Sequence, residues 1–165
     1  MEPGEALGIA AQIAVALAGF AGVVVVFRRE AVHEWSGIDK LRLRLLLANS
    51  ILPLGLSMLG LVLLTIKPAP PGIWKWSSGI LLVATVSYVI PITRAFRRVD
   101  FRNVQRQSVT RFIFAVFGIF GMAVVVLQLC NIALLGAFWP FFAAIVYQLV
   151  TAMAQFARMI LLLPE

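Results

Sequence analysis

Polar side chains recur at helical spacing in an apolar stretch near the end of the chain. The segment YQLVTAMAQFAR contains a group of them: Tyr147, Gln148, Thr151, Gln155 and Arg158. Steps of three and four residues place Gln148, Thr151, Gln155 and Arg158 on one face of an α-helix, with Tyr147 beside them. Such a face can hydrogen-bond a neighbouring helix, another subunit, a cofactor or water.

The glutamines of this stripe must face inward if the segment crosses a membrane, because an unpartnered amide in hydrocarbon costs several kcal/mol. Further amides lie in other apolar stretches: Gln12, Asn49, Gln128 and Asn131. Hydrogen bonds from the stripe to the first three of these would each contribute about 0.6–2 kcal/mol to helix packing. The alternative is a water-lined path around an oligomer axis. Arg158 can reach the inner membrane interface under either hypothesis.

The sequence lacks the groups on which most membrane enzymes and pumps depend. No Asp, Glu, Lys or His lies within an apolar stretch, whereas proton-coupled transporters typically carry one at mid-membrane. His33 and Cys130 are the single histidine and cysteine, and the predicted topology puts them at opposite ends of the bilayer. They cannot together form a zinc site, a haem ligand pair or a catalytic dyad. The sequence therefore predicts a protein without enzymatic activity, cofactor or bound metal.

Composition places these residues in a membrane protein. The chain is 62% hydrophobic and 13% charged, with a mean hydropathy of +0.99. A soluble domain of this size would expose large apolar patches. Stretches long enough to cross a bilayer are predicted at 6–27, 45–66, 76–93, 112–135 and 138–157. The expected fold is all-α, an integral membrane bundle of five transmembrane helices forming a single membrane domain over residues 1–165.

The distribution of charge predicts the orientation of this bundle. Arginines and lysines concentrate in the first and third connections, while the N-terminal tail is acidic. The positive-inside rule then puts the N-terminus outside and the C-terminus in the cytoplasm. Tryptophans would anchor the outer interface at Trp74, Trp76 and Trp139, and the inner interface at Trp35.

The third connection and its flanks are the most basic part of the chain, with Arg94, Arg97, Arg98, Arg102, Arg106 and Arg111. Since these charges lie between apolar stretches, they favour anionic lipid headgroups as the partner, at about 1 kcal/mol per basic residue, and not nucleic acid. A docking surface for a soluble protein is the alternative. In the first connection, Ser36 can cap the second helix, and Arg42 and Arg44 would snorkel to the headgroups from its first turns.

Small residues predict which helix faces pack. In the first helix, one face carries Gly8, Ala11, Gln12, Ala16, Gly19 and Gly22. In the second, Asn49, Pro53, Ser57 and Gly60 share a face, and Pro53 should kink the helix. The fourth helix gathers Gly118, Gly121 and Gln128. Because small residues let helix backbones approach closely in lipid, we expect the glycine faces to lie inside the bundle.

Two segments carry a resemblance. LAGFAGVVVVFRR, residues 17–29, and WSGIDKLRLRLLL, residues 35–47, resemble small, uncharacterised bacterial multi-pass membrane proteins. The resemblance brings no activity with it. The predicted location is a bacterial cytoplasmic (inner) membrane.

These patterns favour a small channel or channel-like subunit that forms a homo-oligomer. Its path would be lined by amides and hydroxyls, and the arginines at the cytoplasmic rim would bias it towards anions. One alternative is a non-catalytic accessory or scaffold subunit of a larger membrane complex. A lipid-binding sensory protein that uses the basic third connection is the other.

Overall fold

The computed structural model describes residues 1–27, 33, 35, 37–66, 68, 71–98 and 108–161. The α-helices of this described part are α1 (Pro3–Phe27), α2 (Gly37–Thr65), α3 (Ile73–Arg98), α4 (Ser108–Cys130) and α5 (Phe138–Leu161). A π-helical turn, Asn131–Leu135, continues α4.

All five helices contain stretches long and apolar enough to cross a membrane: Pro3–Val26, Asp39–Thr65, Ile73–Arg94, Ala115–Leu135 and Phe138–Ile160. The expectation of an all-helical fold with five helices able to cross a membrane is therefore confirmed for the described residues. The boundaries differ most in α2, which is helical from Gly37 although the predicted span began at 45. The charged residues in the first turns of α2 lower the hydropathy of this segment, so hydropathy alone did not predict that the helix begins there.

The helices run back and forth through the bundle. Gly4 of α1 lies beside Leu64 near the end of α2, whereas Phe20 of α1 stacks on Phe156 near the end of α5 at 5.2 Å between ring centroids. Adjacent α1 and α2 are therefore antiparallel, and α1 and α5 are parallel. We call the end where α2 begins and α5 ends the basic end, and the other the turn end, because it holds the α4–α5 turn.

The core lies where α1, α2 and α5 meet. Its fully buried members include Leu7, Leu46, Phe141 and Ile145. Gly60 of α2 is needed there, because a Cβ at this position would lie 2.7 Å from Leu7 Cδ1.

The predicted inward face of α2 is observed, since Asn49, Pro53, Ser57 and Gly60 are all buried. Pro53 lies within the helix and has no backbone N–H, so it leaves the Asn49 carbonyl without its usual helical donor.

The predicted packing face of α1 is wrong in most of its members. The buried side chains of this helix include Leu7, Ala10, Ala11, Ala14, Leu17 and Ala21, and of the predicted face only Ala11 is among them. Gly8, Gly19 and Gly22 have open space around them, since a Cβ added at any of the three would meet nothing within 4 Å. Alanine supplies the close contact instead, because it is small and also a better helix former than glycine.

Candidate functional site

Four helices line a partly open cavity of about 580 Å³. Its lining includes the polar residues that the sequence singled out on α2, α4 and α5: Asn49, Gln128, Tyr147, Gln148, Thr151 and Gln155. We call this space the amide cavity. α3 completes it with Thr85, Tyr88 and Thr93, which sequence analysis missed. Only the step of three residues from Thr85 to Tyr88 was a same-face signal in the sequence.

The stripe on α5 forms the polar wall of the amide cavity. Gln148, Thr151 and Gln155 are 5%, 7% and 2% exposed, so they face the interior of a single chain. The opposite wall, from α4, is built of small and apolar residues such as Ala115, Gly118 and Val125. The cavity surface is therefore mostly apolar, with a few polar side chains along α5.

Two members of the stripe donate their hydroxyl protons to backbone carbonyls. Tyr147 Oη donates to the Phe117 carbonyl at 2.6 Å and joins α5 to α4. Its ring lies against Gly121, where an added Cβ would come within 2.8 Å of the hydroxyl oxygen. Thr151 Oγ1 donates to the Tyr147 carbonyl one turn earlier, at 2.8 Å. These residues fix the wall, and Gly121 alone of the two predicted α4 glycines makes a close contact.

The glutamines keep unused hydrogen-bonding capacity. Oε1 of Gln128, Gln148 and Gln155 is buried in each case and accepts no hydrogen bond within the described part of the chain. Gln128 is held in place by its amide nitrogen, which donates to the Pro140 carbonyl at 2.7 Å. The side chains of these three glutamines line one cavity, although the oxygen atoms themselves have almost no solvent-accessible surface.

Asn49 also lines the amide cavity, but its amide nitrogen is bonded mainly within its own helix. Its Nδ2 donates to the Leu45 carbonyl of its own helix at 2.8 Å and lies 3.5 Å from the Tyr88 hydroxyl. Neither glutamine of the α5 stripe bonds to it in the described structure. The predicted amide-to-amide hydrogen bonds are therefore absent among the described residues, and the amides share a cavity instead.

Asn131 lies outside the amide cavity and serves the α4–α5 turn. Its Nδ2 donates to Ser78 Oγ at 2.8 Å and to the Ala137 carbonyl at 3.0 Å, while its Oδ1 accepts from the Ala137 N–H at 2.9 Å. Its carbonyl accepts from the N–H of Gly136, whose φ of 60° closes the π-helical turn. The residue is fully buried, and its hydrogen bonds hold the turn to α3 and to α5.

Gln12 also departs from the prediction. The structure leaves it exposed on α1 and gives it no hydrogen bond to the described residues, so it takes no part in the amide cavity. The cause is the rotation of α1, which turns its Leu7–Ala14–Ala21 side towards α2 and α5. If α1 crosses a membrane, this amide faces lipid or another chain.

The amide cavity extends along much of α4. On α4 it extends from Ala115 to Gln128, which at 1.5 Å per residue is roughly 20 Å of the about 30 Å hydrocarbon thickness. At about 30 Å³ per molecule, it has room for more than ten waters. At the turn end, Trp74 packs on Phe138 and Phe141 with centroid separations of 4.8 and 5.8 Å. These rings fill the bundle at that end.

At the basic end, two guanidiniums are buried where the sequence predicted snorkelling. Arg42 is 4% exposed and Arg158 is 9% exposed. Trp35 is also buried, 3% exposed, in the same core as Leu43 and Met159, the chain neighbours of these arginines. Burial results because α2 is already helical at Arg42 and the end of α5 packs beside it. Arg44, by contrast, is exposed.

The basic third connection is described only in part. Arg94 is exposed on α3, Arg97 and Arg98 lie in its last turn, and Arg111 lies in the first turn of α4. Arg102 and Arg106 fall outside the described residues, as does Ser36, the predicted cap of α2. Among the described residues there is no cluster of three or more His, Cys, Asp or Glu side chains that would hold a metal ion.

Comparison with protein-family models, with curated proteins and with solved structures finds no match.

Proposed function

We propose that the chain is a small channel-like protein of a bacterial cytoplasmic membrane, and that the amide cavity is its conduit. The observation that supports this proposal is the set of buried, uncharged polar side chains, among them Gln128, Gln148 and Gln155, that line one cavity. Buried polar groups are costly unless they are paired, and Oε1 of these three glutamines accepts no hydrogen bond from the described chain.

The chemistry of the walls suggests what would pass. The polar groups that line the cavity are amides and hydroxyls without formal charge, and arginines dominate the basic end. Amides can hydrogen-bond an anion through their N–H groups and a neutral solute through both groups. A cation approaching from the basic end meets like charge. We therefore expect small anions to permeate fastest and small neutral polar solutes to permeate more slowly.

The proposal places the path inside one chain, since the stripe is buried within the monomer, and not around an oligomer axis. The aromatic side chains at the turn end must then move for the path to open, because Trp74, Phe138 and Phe141 fill that end. With the positive-inside rule, the basic end faces the cytoplasm and the N-terminus lies outside.

Flux through reconstituted liposomes tests the proposal. Purified protein should pass a small anion such as iodide faster than potassium. Gln148→Leu and Gln155→Leu should each reduce that flux at least about tenfold, because an apolar side chain in the cavity removes a water partner and favours dewetting.

Met153→Leu is the matched control. Met153 lies on the same helix, 54% exposed, and should leave the flux unchanged. Liposomes that remain tight with the wild-type protein would remove the proposal. So would equal flux in the wild type and in both glutamine variants.

A second candidate function, an accessory subunit that packs against another membrane chain, is favoured by one observation. Gln12 is an exposed amide on α1, and the open glycines Gly8 and Gly19 lie on the same outward side. In lipid, an amide among small residues is a contact that another helix can satisfy, either from a second copy or from a different protein.

Native mass spectrometry of the gently extracted protein tests this candidate. Gln12→Leu and Gly19→Leu should release a second copy or a distinct partner, and Ile13→Leu, an exposed neighbour, should not. A strictly monomeric wild-type protein would exclude it. The flux assay then decides between the two functions.

A further inference from the structure

A second cavity, of about 700 Å³, lies between α2 and α3 and is open to the surroundings. Its lining residues are apolar except Arg44 and Tyr88, and they include the exposed side chain of Ile51. All of them belong to the stretches of α2 and α3 that are able to cross a membrane, so in a bilayer this cavity would face lipid. We call it the α2–α3 groove.

Gly55 leaves space in the α2–α3 groove that the described chain does not fill. It is exposed, and a Cβ added there would meet nothing within 4 Å. A glycine inside a helix is less favourable than alanine, and no close helix contact compensates for it here, in contrast to Gly60. Ala48 and Ala84 also line the groove with small side chains. The groove therefore has room for an apolar group from outside the chain.

Arg44 lines the groove at its basic end and is exposed. The span Asp39–Thr65 has 27 residues, about 40 Å of helix, which exceeds the about 30 Å hydrocarbon thickness by roughly 10 Å. Since the charged side chains of α2 lie in its first turns, that surplus lies at the basic end, where Arg44 can reach the headgroup layer. No described residue forms an ion pair with Arg44, so its charge is open to an anion from outside the chain.

The length of the groove matches one lipid acyl chain. Gly55 lies eleven positions after Arg44, which is roughly 16 Å along the helix axis. The hydrocarbon of one leaflet is about half of the about 30 Å core. A lipid whose phosphate lies at Arg44 would therefore place the end of an acyl chain near Gly55.

We propose that the α2–α3 groove binds one acyl chain of an anionic phospholipid, whose headgroup phosphate pairs with Arg44. Charge complementarity identifies the occupant, because a guanidinium at the level of the headgroups matches the oxygens of a phosphate. The volume lies within the about 300–1,000 Å³ that is usual for small-molecule sites.

A helix from a second copy of the chain suits the groove less well, because it would not supply an anion to Arg44. The acidic residue that the described helices place at the basic end is Asp39, and its Oδ1 already lies 3.2 Å from Arg42 Nη1. An anionic lipid supplies both the apolar chain and the charge.

Lipid titration of the purified full-length protein tests the site. The protein is delipidated in a neutral detergent, and phosphatidylglycerol or phosphatidylcholine with the same acyl chains is added. Native mass spectrometry then counts the lipid bound per chain. The wild type should bind one lipid and prefer phosphatidylglycerol about fivefold, the ratio that corresponds to about 1 kcal/mol for one basic residue at an anionic headgroup.

Arg44→Gln tests the headgroup contact. It should remove the preference for phosphatidylglycerol and leave the affinity for phosphatidylcholine within about twofold of the wild type. Arg94→Gln is the matched control, since Arg94 is exposed near the same end of α3, does not line the groove, and loses the same charge. It should keep the preference. Equal losses in the two variants would overturn the site, because binding would then reflect diffuse surface charge.

Gly55→Leu tests the acyl-chain contact. A leucine side chain would occupy the groove, so both lipids should bind at least about tenfold more weakly. Gly22→Leu is the matched control, because Gly22 is also exposed with open space around it but lies on α1, and it should change binding less than about twofold. Ile80→Trp narrows the groove from α3 and serves as the test if Gly55→Leu fails to fold.

Three results would overturn the proposal: no saturable binding of one lipid per chain, equal affinity of the wild type for the two lipids, or unchanged binding in Gly55→Leu. A dimer that Gly55→Leu dissociates, with no change in lipid binding, would assign the groove to a second copy instead. The site does not require that the amide cavity conduct.

Discussion

The α4–α5 turn and the α5 wall of the amide cavity both bury amides, and they use them in opposite ways. At the turn, Asn131 donates through Nδ2 twice and accepts through Oδ1 once. On the wall, Gln148 and Gln155 are almost as buried, yet their oxygens accept nothing from the described chain. Since Asn131 and the two glutamines are buried to nearly the same extent, they differ in whether other residues of the described chain hydrogen-bond to the amide oxygen.

This difference separates structural amides from candidate functional ones. A fully paired amide is explained by the stability it gives to the turn. A buried, partly unpaired amide lowers stability relative to an apolar side chain of similar shape, so its presence indicates a role outside folding. The four predictions that follow test this distinction, beginning with the largest expected effect.

Asn131→Leu should destabilise the protein by about 3–5 kcal/mol. It removes three side-chain hydrogen bonds and leaves the Ala137 N–H without its acceptor and Ser78 Oγ without its amide donor. Thermal unfolding in detergent, followed by tryptophan fluorescence, would measure the loss. Asn49→Leu is the comparison and should cost about 1 kcal/mol, since Asn49 makes one good bond within its own helix. Equal effects of the two changes would contradict the distinction.

Gly121→Ala should destabilise the protein by about 1–3 kcal/mol, because its Cβ would lie 2.8 Å from the Tyr147 hydroxyl and displace the bond to Phe117. Gly118→Ala, on the same helix with open space around it, is the control and should be neutral or slightly stabilising. A double-mutant cycle with Tyr147→Phe should recover part of the loss. Additive effects would show that the hydroxyl is not the cause.

Gln155→Met should leave stability unchanged or raise it by about 1 kcal/mol, since it replaces a buried amide whose oxygen the described chain does not pair. The expected change in stability therefore has the opposite sign to that expected for Asn131→Leu and Gly121→Ala. The same unfolding assay, with the flux measured in parallel, gives the test. A loss of about 2 kcal/mol or more, roughly that of a paired buried group, would place Gln155 with Asn131 as a structural amide.

Thr151→Val should have the smallest effect, a loss below about 1 kcal/mol. The hydroxyl lies between the two glutamines on the cavity wall, but its proton is bonded to the Tyr147 carbonyl of the same helix. Valine preserves the shape, and the flux should fall far less than in Gln148→Leu. A flux loss as large as in that variant would show that the hydroxyl oxygen contributes to the conduit as much as the amides do.

Hydropathy and length predict five helices able to cross a membrane, and the cost of an unpartnered amide in hydrocarbon correctly predicts that Gln148 and Gln155 face inward. The same cost does not predict the position of Gln12, which is exposed. Sequence reasoning also did not predict that amides from α2, α4 and α5 would line one cavity. That result depends on how each helix is rotated about its axis relative to its neighbours. Contacts between pairs of helices determine this rotation, and the sequence pattern of one helix does not contain that information.

The rotation of α1 illustrates the limit. Gly8, Gly19 and Gly22 are small, but so are the alanines on the other side, and size alone cannot choose between the faces. Arg42 shows the same limit for charge. Its distance from the start of α2 permits either snorkelling or burial, and the packing of Trp35 and the end of α5 at the basic end decides the outcome.

The two-residue link between α4 and α5 has a consequence for how the chain enters a bilayer. Gly136 and Ala137 carry no charge, and Asn131 already pairs the backbone N–H groups of both. If the two helices enter the lipid as a hairpin, the link therefore brings no charge across the bilayer and both of its N–H groups are already paired. A charged residue placed at position 137 should hinder that insertion.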